Sequence, residues 1–179
     1  MEYYEITIVG CKRKLPICKI NDKLSIAAFI MFGDVEITEK TSSELLKKSP
    51  EFDVIITAEA KGVPLAYEMA RQAKKDYVVA RKDKKVYIVN PVSVEVNTIT
   101  TQRKQELFLS CETAELLKGK RVLIVDDVIS TGESLKALEK LVELSQGNLV
   151  GKVAVLAEGD AKDRTDIIYL EKLPLIVND

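Results

Sequence analysis

The sequence predicts an α/β fold in which a mostly parallel central sheet is flanked by helices. Short apolar runs of the buried-strand type recur along the chain, at residues 53–57, 77–80, 121–125 and 152–157. Helical segments of roughly a dozen residues separate the first run from the second and the third from the fourth. Strand-helix-strand units of this kind are right-handed and give parallel strands. Ligands of such sheets bind beyond the carboxyl ends of the strands.

A single domain covering residues 1–179 is expected, because this length lies within the usual domain size of about 100–200 residues. The chain carries 27 Lys and Arg against 28 Asp and Glu, so its net charge of −1 does not indicate a nucleic-acid partner. It contains no histidine. That absence excludes a Ser-His-Asp or Cys-His nucleophile, an HExxH zinc site and an imidazole proton shuttle.

The amino-terminal part is expected to begin with a β-hairpin. Two strand-like runs within residues 2–20 are joined around Gly10 and a basic turn. The apolar stretch at 24–32 should be helical or buried. A Thr-Ser-Ser-Glu sequence that starts at Thr41 is typical of a capped helix, which should end near Pro50. The strand and helix signals that come next lie at 53–57, 63–74 and 77–80.

Residues 84–106 combine strand propensity with many polar side chains, so we expect a long, exposed and flexible hairpin. A buried strand at 121–125 is then followed by a loop at 126–133 and by a helix at 134–144 with an apolar face. The strand signal at 152–157 closes the series.

The cysteines, the apolar runs and the first residues of the chain indicate the cell compartment in which the protein is expected. Cys11, Cys18 and Cys111 lack CxxC spacing, which argues against a disulfide framework and a zinc ribbon. No apolar run approaches the roughly 18 residues of a membrane span. The first residues carry their acid before their bases, the reverse of a signal peptide. We therefore expect a cytoplasmic protein with no membrane partner.

The segment VLIVDDVISTGES is the one best suited to bind a ligand. Asp126 and Asp127 follow an apolar run, and hydroxyl and glycine residues then open a helix. Backbone N–H groups, the helix dipole and the hydroxyls of Ser130, Thr131 and Ser134 suit a phosphomonoester. The two carboxylates would repel a phosphate, so they should face sugar hydroxyls or a bound cation. A ligand with a ribose diol and a 5-phosphate satisfies both groups: the diol suits the two carboxylates, and the phosphate suits the N–H groups and hydroxyls.

Two other interpretations fit the same letters. VLIVDD is also similar to the first strand of response-regulator receiver domains, whose acidic pair binds magnesium, but too few residues follow Asp127 to supply the rest of a receiver. The other alternative is a capped strand-to-helix turn without a ligand. Adjacent carboxylates at a strand end argue against it, because they repel each other and need a purpose.

The loop resembles the ribose-phosphate motif of type I phosphoribosyltransferases, in which two acids and two apolar residues precede a small residue, Thr, Gly and further small or hydroxyl residues. The resemblance implies that family's fold, with a small hood subdomain and a flexible β-hairpin loop. Glu133 stands where Gly is commoner, so its side chain should point to solvent. The implied ribose 5-phosphate contacts are Val128, Ile129, Ser130, Thr131, Gly132, Glu133 and Ser134.

Two further segments resemble the pyrophosphate-binding parts of the purine members of this family. One is the turn that contains Ala60, Lys61 and Gly62. In the family this loop often holds a cis non-proline peptide, expected here between Ala60 and Lys61. The other is the pair Arg81 and Lys82, which follows the strand at 77–80.

The resemblance also implies the reaction, in which a 5-phosphoribosyl group passes from phosphoribosyl pyrophosphate to a base nitrogen with release of pyrophosphate. The catalytic residues would be Asp126 and Asp127, which hold the ribose diol, and Arg103 or Lys104 at the tip of the family's flexible loop, which excludes water. Mg²⁺ is the expected cofactor, held mainly by substrate and water. No residues are assigned as its ligands.

In this family the base pocket lies under a hood, here residues 1–34 and 158–179 around a core of about 41–157. Phe32 resembles the aromatic residue that stacks on a purine in adenine enzymes, and Glu158 is the other expected base contact. Neither base signature is complete: adenine enzymes usually carry Arg at Gly33, and xanthine-type members usually carry Lys at Gly159.

We therefore expect a purine phosphoribosyltransferase, with adenine as the leading base and a 6-oxopurine (xanthine, hypoxanthine or guanine) as the alternative. A non-catalytic sensor of phosphoribosyl pyrophosphate or nucleotide is the other alternative. Family resemblance suggests a homodimer.

Overall fold

The structure is a computed structural model that describes residues 2–84, 86, 90–96 and 105–178. Its elements are, in chain order, β1 (Tyr3–Ile8), β2 (Cys11–Asn21), β3 (Leu24–Ala27), α1 (Val35–Lys48), β4 (Val54–Ala58), α2 (Val63–Ala73), β5 (Asp76–Ala80), β6 (Val92–Val96), β7 (Gln105–Leu109), α3 (Cys111–Leu117), β8 (Arg121–Ile129), α4 (Glu133–Leu144), β9 (Asn148–Glu158), a 3-10 helix (Gly159–Asp163), β10 (Ile168–Leu173) and β11 (Leu175–Val177).

The predicted α/β fold is confirmed. Five strands form a central sheet in the order β10-β9-β8-β4-β5, and every pairing between neighbours is parallel. Successive side chains of a strand point to opposite faces, so β8 supplies two hydrophobic cores. Val122 and Ile124 pack with the apolar face of α4, whereas Leu123 and Val125 pack with α1 and α2. Helices thus cover both faces of the sheet.

A second, four-stranded antiparallel sheet has the order β1-β2-β3-β11. The predicted amino-terminal hairpin is confirmed, and its two-residue turn places Val9 and Gly10 at φ values of 47° and 77°. The stretch 24–32 is not helical. It begins with β3, because that strand is bonded on both sides, to β2 and to β11. The carboxyl-terminal piece is divided, since β10 joins the central sheet and β11 joins this one.

Helix α1 begins at Val35, earlier than predicted, because Asp34 provides its cap. The Asp34 carboxylate accepts a hydrogen bond from the backbone N–H of Ile37 at 3.2 Å. The Thr41 hydroxyl does not cap. It donates to the carbonyl of Ile37 one turn earlier, at 2.6 Å. A hydroxyl at a helix start instead accepts a backbone N–H, but the same residue type suits both positions, which is why the local pattern misplaced the helix start.

Three elements between β5 and β8, namely β6, β7 and α3, complete the description. β6 and β7 pair as antiparallel strands of the hairpin expected in the 84–106 segment. The expectation that these strands are exposed is wrong, because Val96, Leu107 and Leu109 are buried in the core that includes the apolar face of α4. Residues 97–104, with the predicted catalytic Arg103 and Lys104, lie outside the described residues. Helix α3 was not predicted from the sequence, although Ser110 caps it through a bond from Thr113 N–H at 3.1 Å. In the described part of the chain, no helix is long and apolar enough to cross a membrane.

Candidate active site

Four segments with predicted site residues meet at one edge of the central sheet. They follow the carboxyl ends of β9, β8, β4 and β5, which are consecutive neighbours in the sheet. Along this edge lie Glu158 at the end of β9, the acidic loop at the end of β8, the turn 59–62 after β4, and Arg81 after β5. The carboxyl edge of a parallel sheet is where α/β proteins bind ligands.

The acidic pair lies within β8 rather than in the predicted loop at 126–133. β8 continues to Ile129 because Asp126, Val128 and Ile129 still pair with β9. Pairing with β4 on the other side is described only as far as Ile124. The two carboxylates therefore sit where β8 is held on one side only, which leaves room beside them.

Asp126 and Asp127 have different surroundings. Asp127 is only 3% exposed, whereas Asp126 is half-buried. An Asp126 oxygen accepts the backbone N–H of Asp127 at 2.9 Å. Burial, and then the charge of Asp127, raise the pKa of Asp126 well above the ordinary value of an aspartate. The pair consequently favours whatever ligand offers it a positive charge or hydroxyl donors.

Lys61 links the acidic pair to the turn that follows β4. Its Nζ atom lies 3.4 Å from Oδ2 of Asp127, and the lysine side chain is half-exposed. That Asp127 oxygen is buried and has no hydrogen-bond partner. A buried carboxylate oxygen with only a longer ionic contact has capacity for a further donor. Two segments that are distant in sequence thus form one charged site.

Gly62 allows the close approach of the two segments. A Cβ atom at this position would lie 2.6 Å from Oγ1 of Thr57 and 3.0 Å from Oδ1 of Asp126. The φ angle of Gly62 is an ordinary −74°, so the demand for glycine is steric. The Thr57 hydroxyl is itself buried without a hydrogen-bond partner.

The cis peptide predicted at Ala60–Lys61 was misplaced by one residue. The non-proline cis bond joins Glu59 to Ala60. The Glu59 N–H still donates to the Ala80 carbonyl at 2.9 Å, so the strand ladder runs through Glu59 and the turn begins with the next peptide bond.

Glu59 is a residue of this site that sequence reasoning missed. Its Oε2 atom accepts hydrogen bonds from Nε of Arg81 at 3.1 Å and from the backbone N–H of Lys82 at 3.0 Å. The Arg81 guanidinium is partly exposed and therefore remains accessible beside this pairing. Glu59 holds Arg81 and Lys82 against the turn 59–62, but an acid in a turn has no distinctive local pattern that could have identified this role.

The loop from Ser130 to Gly132 is short and turns directly into α4. Gly132 has a φ angle of 81°, a left-handed conformation that favours glycine. No side chain caps α4, which leaves its first N–H groups available to an anion. Glu133 does not leave an unbalanced charge there, because its carboxylate pairs with Lys136 at 2.9 Å.

Phe32 and Glu158, the two predicted base contacts, lie on different segments of the chain. Phe32 is 54% exposed, while its neighbours Phe29 and Met31 are buried in the core. Glu158 is buried at the end of β9. Gly159, the next residue, has a φ angle of 59°, and a Cβ there would meet the Leu175 side chain of β11 at 2.8 Å. A lysine here would require the flexible Leu175 side chain to move and a left-handed backbone, which Lys74 of this chain also adopts at a φ angle of 54°.

The acidic pair fits the way that proteins hold magnesium. The described residues contain no cluster of three or more His, Cys, Asp or Glu side chains that could enclose a metal ion. Mg²⁺ is commonly bound by one or two carboxylates together with substrate phosphates and water. Asp126 and Asp127, with the unpartnered Oδ2 atom, can supply that share.

Fold and site together define a parallel-sheet α/β protein with an uncapped helix start after β8 and a neighbouring acidic pair. The phosphoribosyl transferase domain family matches residues 35–173. The chain belongs to this family, which confirms the resemblance drawn from the acidic loop.

The relatives divide between enzymes and regulators. The chain is 33% identical over 129 residues to the hypoxanthine/guanine phosphoribosyltransferase of Methanothermococcus okinawensis, a match that covers 72% of this chain and 67% of that protein. It is 30% identical over 165 residues to the probable purine biosynthesis transcriptional regulator PurR of Streptococcus pneumoniae, covering 88% and 59%. Across the first four curated relatives, matches span 55% to 67% of their lengths.

Solved structures with the same fold include adenine enzymes. The adenine phosphoribosyltransferase of Thermoanaerobacter pseudethanolicus superposes with a TM-score of 0.67 at 26% identity, covering 95% of each chain. The Saccharomyces cerevisiae enzyme gives 0.65 at 18% identity, covering 94% of this chain and 92% of that one.

Proposed function

We propose that this protein is a purine phosphoribosyltransferase, which transfers the 5-phosphoribosyl group of phosphoribosyl pyrophosphate to a purine nitrogen and releases pyrophosphate. The observation that carries the proposal is the order of groups along the sheet edge: a base-side residue on β9, the acidic loop on β8, and cationic groups after β4 and β5. The acceptor base, the ribose phosphate and the leaving pyrophosphate are arranged in the same order in the reaction, because the base and the pyrophosphate lie on opposite sides of the ribose C1 atom.

Each part of the edge has a role in this reaction. Asp126 and Asp127 accept hydrogen bonds from the ribose 2- and 3-hydroxyls. The N–H groups of residues 130–134 and the start of α4 receive the 5-phosphate. Lys61, Arg81 and Lys82 neutralise the pyrophosphate. Because Lys61 already contacts Asp127 at 3.4 Å, a single side chain can shift between the acid pair and the leaving group.

The chemistry needs little proton transfer, which agrees with a chain that lacks histidine. The bond between C1 and the pyrophosphate oxygen breaks through an oxocarbenium-like state, and the acid pair faces the positive charge that develops on the ring. Bound Mg²⁺ would supply further neutralisation of the pyrophosphate charge. Positioning on rigid strand ends provides the remainder of the acceleration. Arg103 and Lys104 stay predictions as catalytic cations of the loop that excludes water.

Adenine is the leading candidate for the base. The exposed Phe32 ring is available to stack on a purine, and the 26%-identical Thermoanaerobacter structure is an adenine enzyme. Gly159 stands where xanthine-type enzymes usually carry Lys, so the xanthine-type signature is incomplete. Hypoxanthine and guanine remain the alternative, since relatives with 31–39% identity act on them.

A sensor of phosphoribosyl pyrophosphate is the second candidate. It is favoured by the match to the pneumococcal regulator, which covers more of this chain than the Methanothermococcus match does. Such a protein would keep the ribose-phosphate loop and bind the ligand without turnover.

Pyrophosphate release from phosphoribosyl pyrophosphate with Mg²⁺ tests both candidates, with adenine, hypoxanthine, guanine, xanthine, uracil and orotate supplied in turn. We expect release with adenine to exceed release with the other bases. Asp127→Asn should abolish turnover and keep the folded structure. Ligand binding without release for every base would overturn the enzyme in favour of the sensor, and no binding would overturn both.

We further propose that the protein acts in the cytoplasm as a homodimer. Light scattering at micromolar concentration would give twice the mass of a 20.0 kDa chain. A monomer mass with full activity would overturn the proposal.

A further inference from the structure

Arg164 follows the 3-10 helix and reaches the phosphate loop from outside the recognised motif. Its Nη1 atom lies 2.7 Å from the position that a Cβ atom of Gly132 would occupy. Gly132 immediately precedes α4, whose first N–H groups have no side-chain cap. The guanidinium therefore stands beside the N–H groups that would bind the 5-phosphate.

A chain of alternating charges holds Arg164 in this position. Nε and Nη2 of Arg164 donate to the two carboxylate oxygens of Asp166, at 2.9 and 2.7 Å. Asp166 also binds Nζ of Lys152, and Lys152 pairs with Glu139 of α4 at 2.8 Å. The Lys152 side chain, which links Asp166 to Glu139, is only 14% exposed and is therefore held firmly by its surroundings. Arg164 is thereby tied to the same helix whose start it faces.

One side of the guanidinium is left for a ligand. Both atoms on the Asp166 side are used, whereas Nη1 has no acceptor among the residues that the structure describes. Arginine remains charged at all physiological pH values, and its planar group suits phosphate oxygens. An unused N–H₂ group of a fixed cation, beside free helix N–H groups, is suited to a phosphomonoester dianion.

We propose that Arg164 is a direct ligand of the 5-phosphate and selects sugars that carry it. The inference rests on the proposed function, since it assigns a further residue to the same site. It also gives a second reason, besides the positive φ angle, why residue 132 is a glycine: any side chain there would displace the Arg164 guanidinium.

The test compares two ligands that occupy different halves of the site. Ribose 5-phosphate uses the phosphate loop, whereas pyrophosphate uses the groups after β4 and β5. Calorimetric binding of each ligand is measured for wild type, Arg164→Gln and Lys162→Gln. Lys162 is an exposed cation in the preceding 3-10 helix, so its substitution changes the net charge equally.

We expect Arg164→Gln to weaken ribose 5-phosphate binding about tenfold and to change pyrophosphate binding less than about twofold. Lys162→Gln should leave both affinities unchanged. Equal ribose 5-phosphate affinity in wild type and Arg164→Gln would overturn the role of Arg164 and leave the proposed function standing. An equal loss of affinity for both ligands would show that Arg164 has only a structural role, and it would also overturn the proposal that Arg164 binds the 5-phosphate. Failure of wild type to bind ribose 5-phosphate would instead count against the proposed function.

Arg164→Lys is the second variant, in case Arg164→Gln does not fold. A lysine keeps the charge but cannot bind Asp166 and a phosphate with separate edges of one planar group. We expect about threefold weaker ribose 5-phosphate binding with unchanged pyrophosphate binding. Unchanged affinity for both ligands would contradict the proposal.

Discussion

At the scale of single residues, the site depends on side chains that sequence patterns identify and on contacts that they do not. Asp126 and Asp127 were recognisable from their place after an apolar run. Their unequal burial, and the contact of Asp127 with Lys61, arise only when β4 and β8 lie side by side. Glu59 was missed because an acid in a turn has no distinctive local pattern.

Substitution Gly62→Ala should lower kcat/KM for phosphoribosyl pyrophosphate at least about tenfold. The added Cβ would overlap Thr57 and push against Asp126, so the acid pair would move by a few tenths of an ångström or more. Steady-state kinetics on the folded variant measures the effect. Gly151→Ala is the matched control, because its Cβ would meet Pro50 at 2.9 Å in a region away from the sheet's carboxyl edge. Equal kinetic losses in the two variants would contradict this explanation.

Substitution Asp126→Asn should stabilise the protein at pH 7 while it removes activity. The pKa of Asp126 is raised in the folded state, so the unfolded chain loses this proton first as pH rises above about 4. Above that pH the free energy of unfolding therefore falls, until pH passes the folded-state pKa. Asparagine removes this penalty, and we expect Tm to rise by about 2–4 °C at pH 7.

At pH 3 the gain from Asp126→Asn should vanish, since the carboxyl group is protonated in both states. Thermal unfolding at the two pH values provides the measurement. The exposed Asp163→Asn serves as control and should show no such pH-dependent gain. A gain that is the same at both pH values would exclude the ionisation mechanism.

At the scale of elements, the strands of the central sheet were predictable because each is a short apolar run, and their ends shifted by pairing. β8 continued into the expected loop because β9 still bonds to it. Helix α1 began early because Asp34 caps it and also accepts Arg13 Nε of β2 at 2.6 Å. That contact joins the amino-terminal hairpin to the core. Local sequence patterns cannot predict it, because Arg13 and Asp34 are 21 residues apart.

Substitution Asp34→Ala should lower the free energy of unfolding by about 1–2 kcal/mol, because it removes a helix cap and leaves Arg13 without its closest acceptor. Urea denaturation at pH 7 measures the change. Arg13 lowers the pKa of Asp34, so this stabilisation should be present above about pH 4 and be lost as pH falls through the lower folded-state value.

Asp22→Ala is the matched control for the cap. Asp22 pairs with Lys19 at 2.7 Å but is almost fully exposed, so the change should stay within about 0.5 kcal/mol. Similar losses for Asp22→Ala and Asp34→Ala would contradict the importance of the cap and its bridge to β2.

At the scale of the whole molecule, the two chain ends build one hood sheet over the edge of the core. β11 pairs with β3, and Asn178 stabilises this pairing through two side-chain hydrogen bonds. Its side chain accepts the Ser25 hydroxyl at 2.9 Å and donates to the Asn21 carbonyl at 3.2 Å. The Leu175 side chain of β11 in turn touches the position of Gly159, next to Glu158. Pairing of β11 with β3 thus places a side chain next to Glu158, the residue that we propose as a base contact.

Substitution Asn178→Ala should raise the KM for the purine base about threefold to tenfold and leave the KM for phosphoribosyl pyrophosphate within about twofold. The loss of two hydrogen bonds loosens β11, whereas the strand ends that bind the sugar phosphate belong to the other sheet. Kinetics with each substrate varied in turn separates the two effects. Asn148→Ala, at the opposite end of β9, should change neither value. An equal rise in both constants would contradict a base-side role for the hood.

The sequence by itself determined the fold class, the motif that identifies the family and the exclusion of histidine chemistry. These properties follow from information in the sequence itself: apolar runs of strand length, the residues from Val122 to Ser134, and the absence of histidine. Only the tertiary structure decided that Lys61 faces Asp127, that Glu59 holds Arg81, and that Arg164 stands over Gly132. Each of these contacts joins segments that are separated along the chain, and which segments become neighbours is set by packing of the whole chain rather than by any single segment.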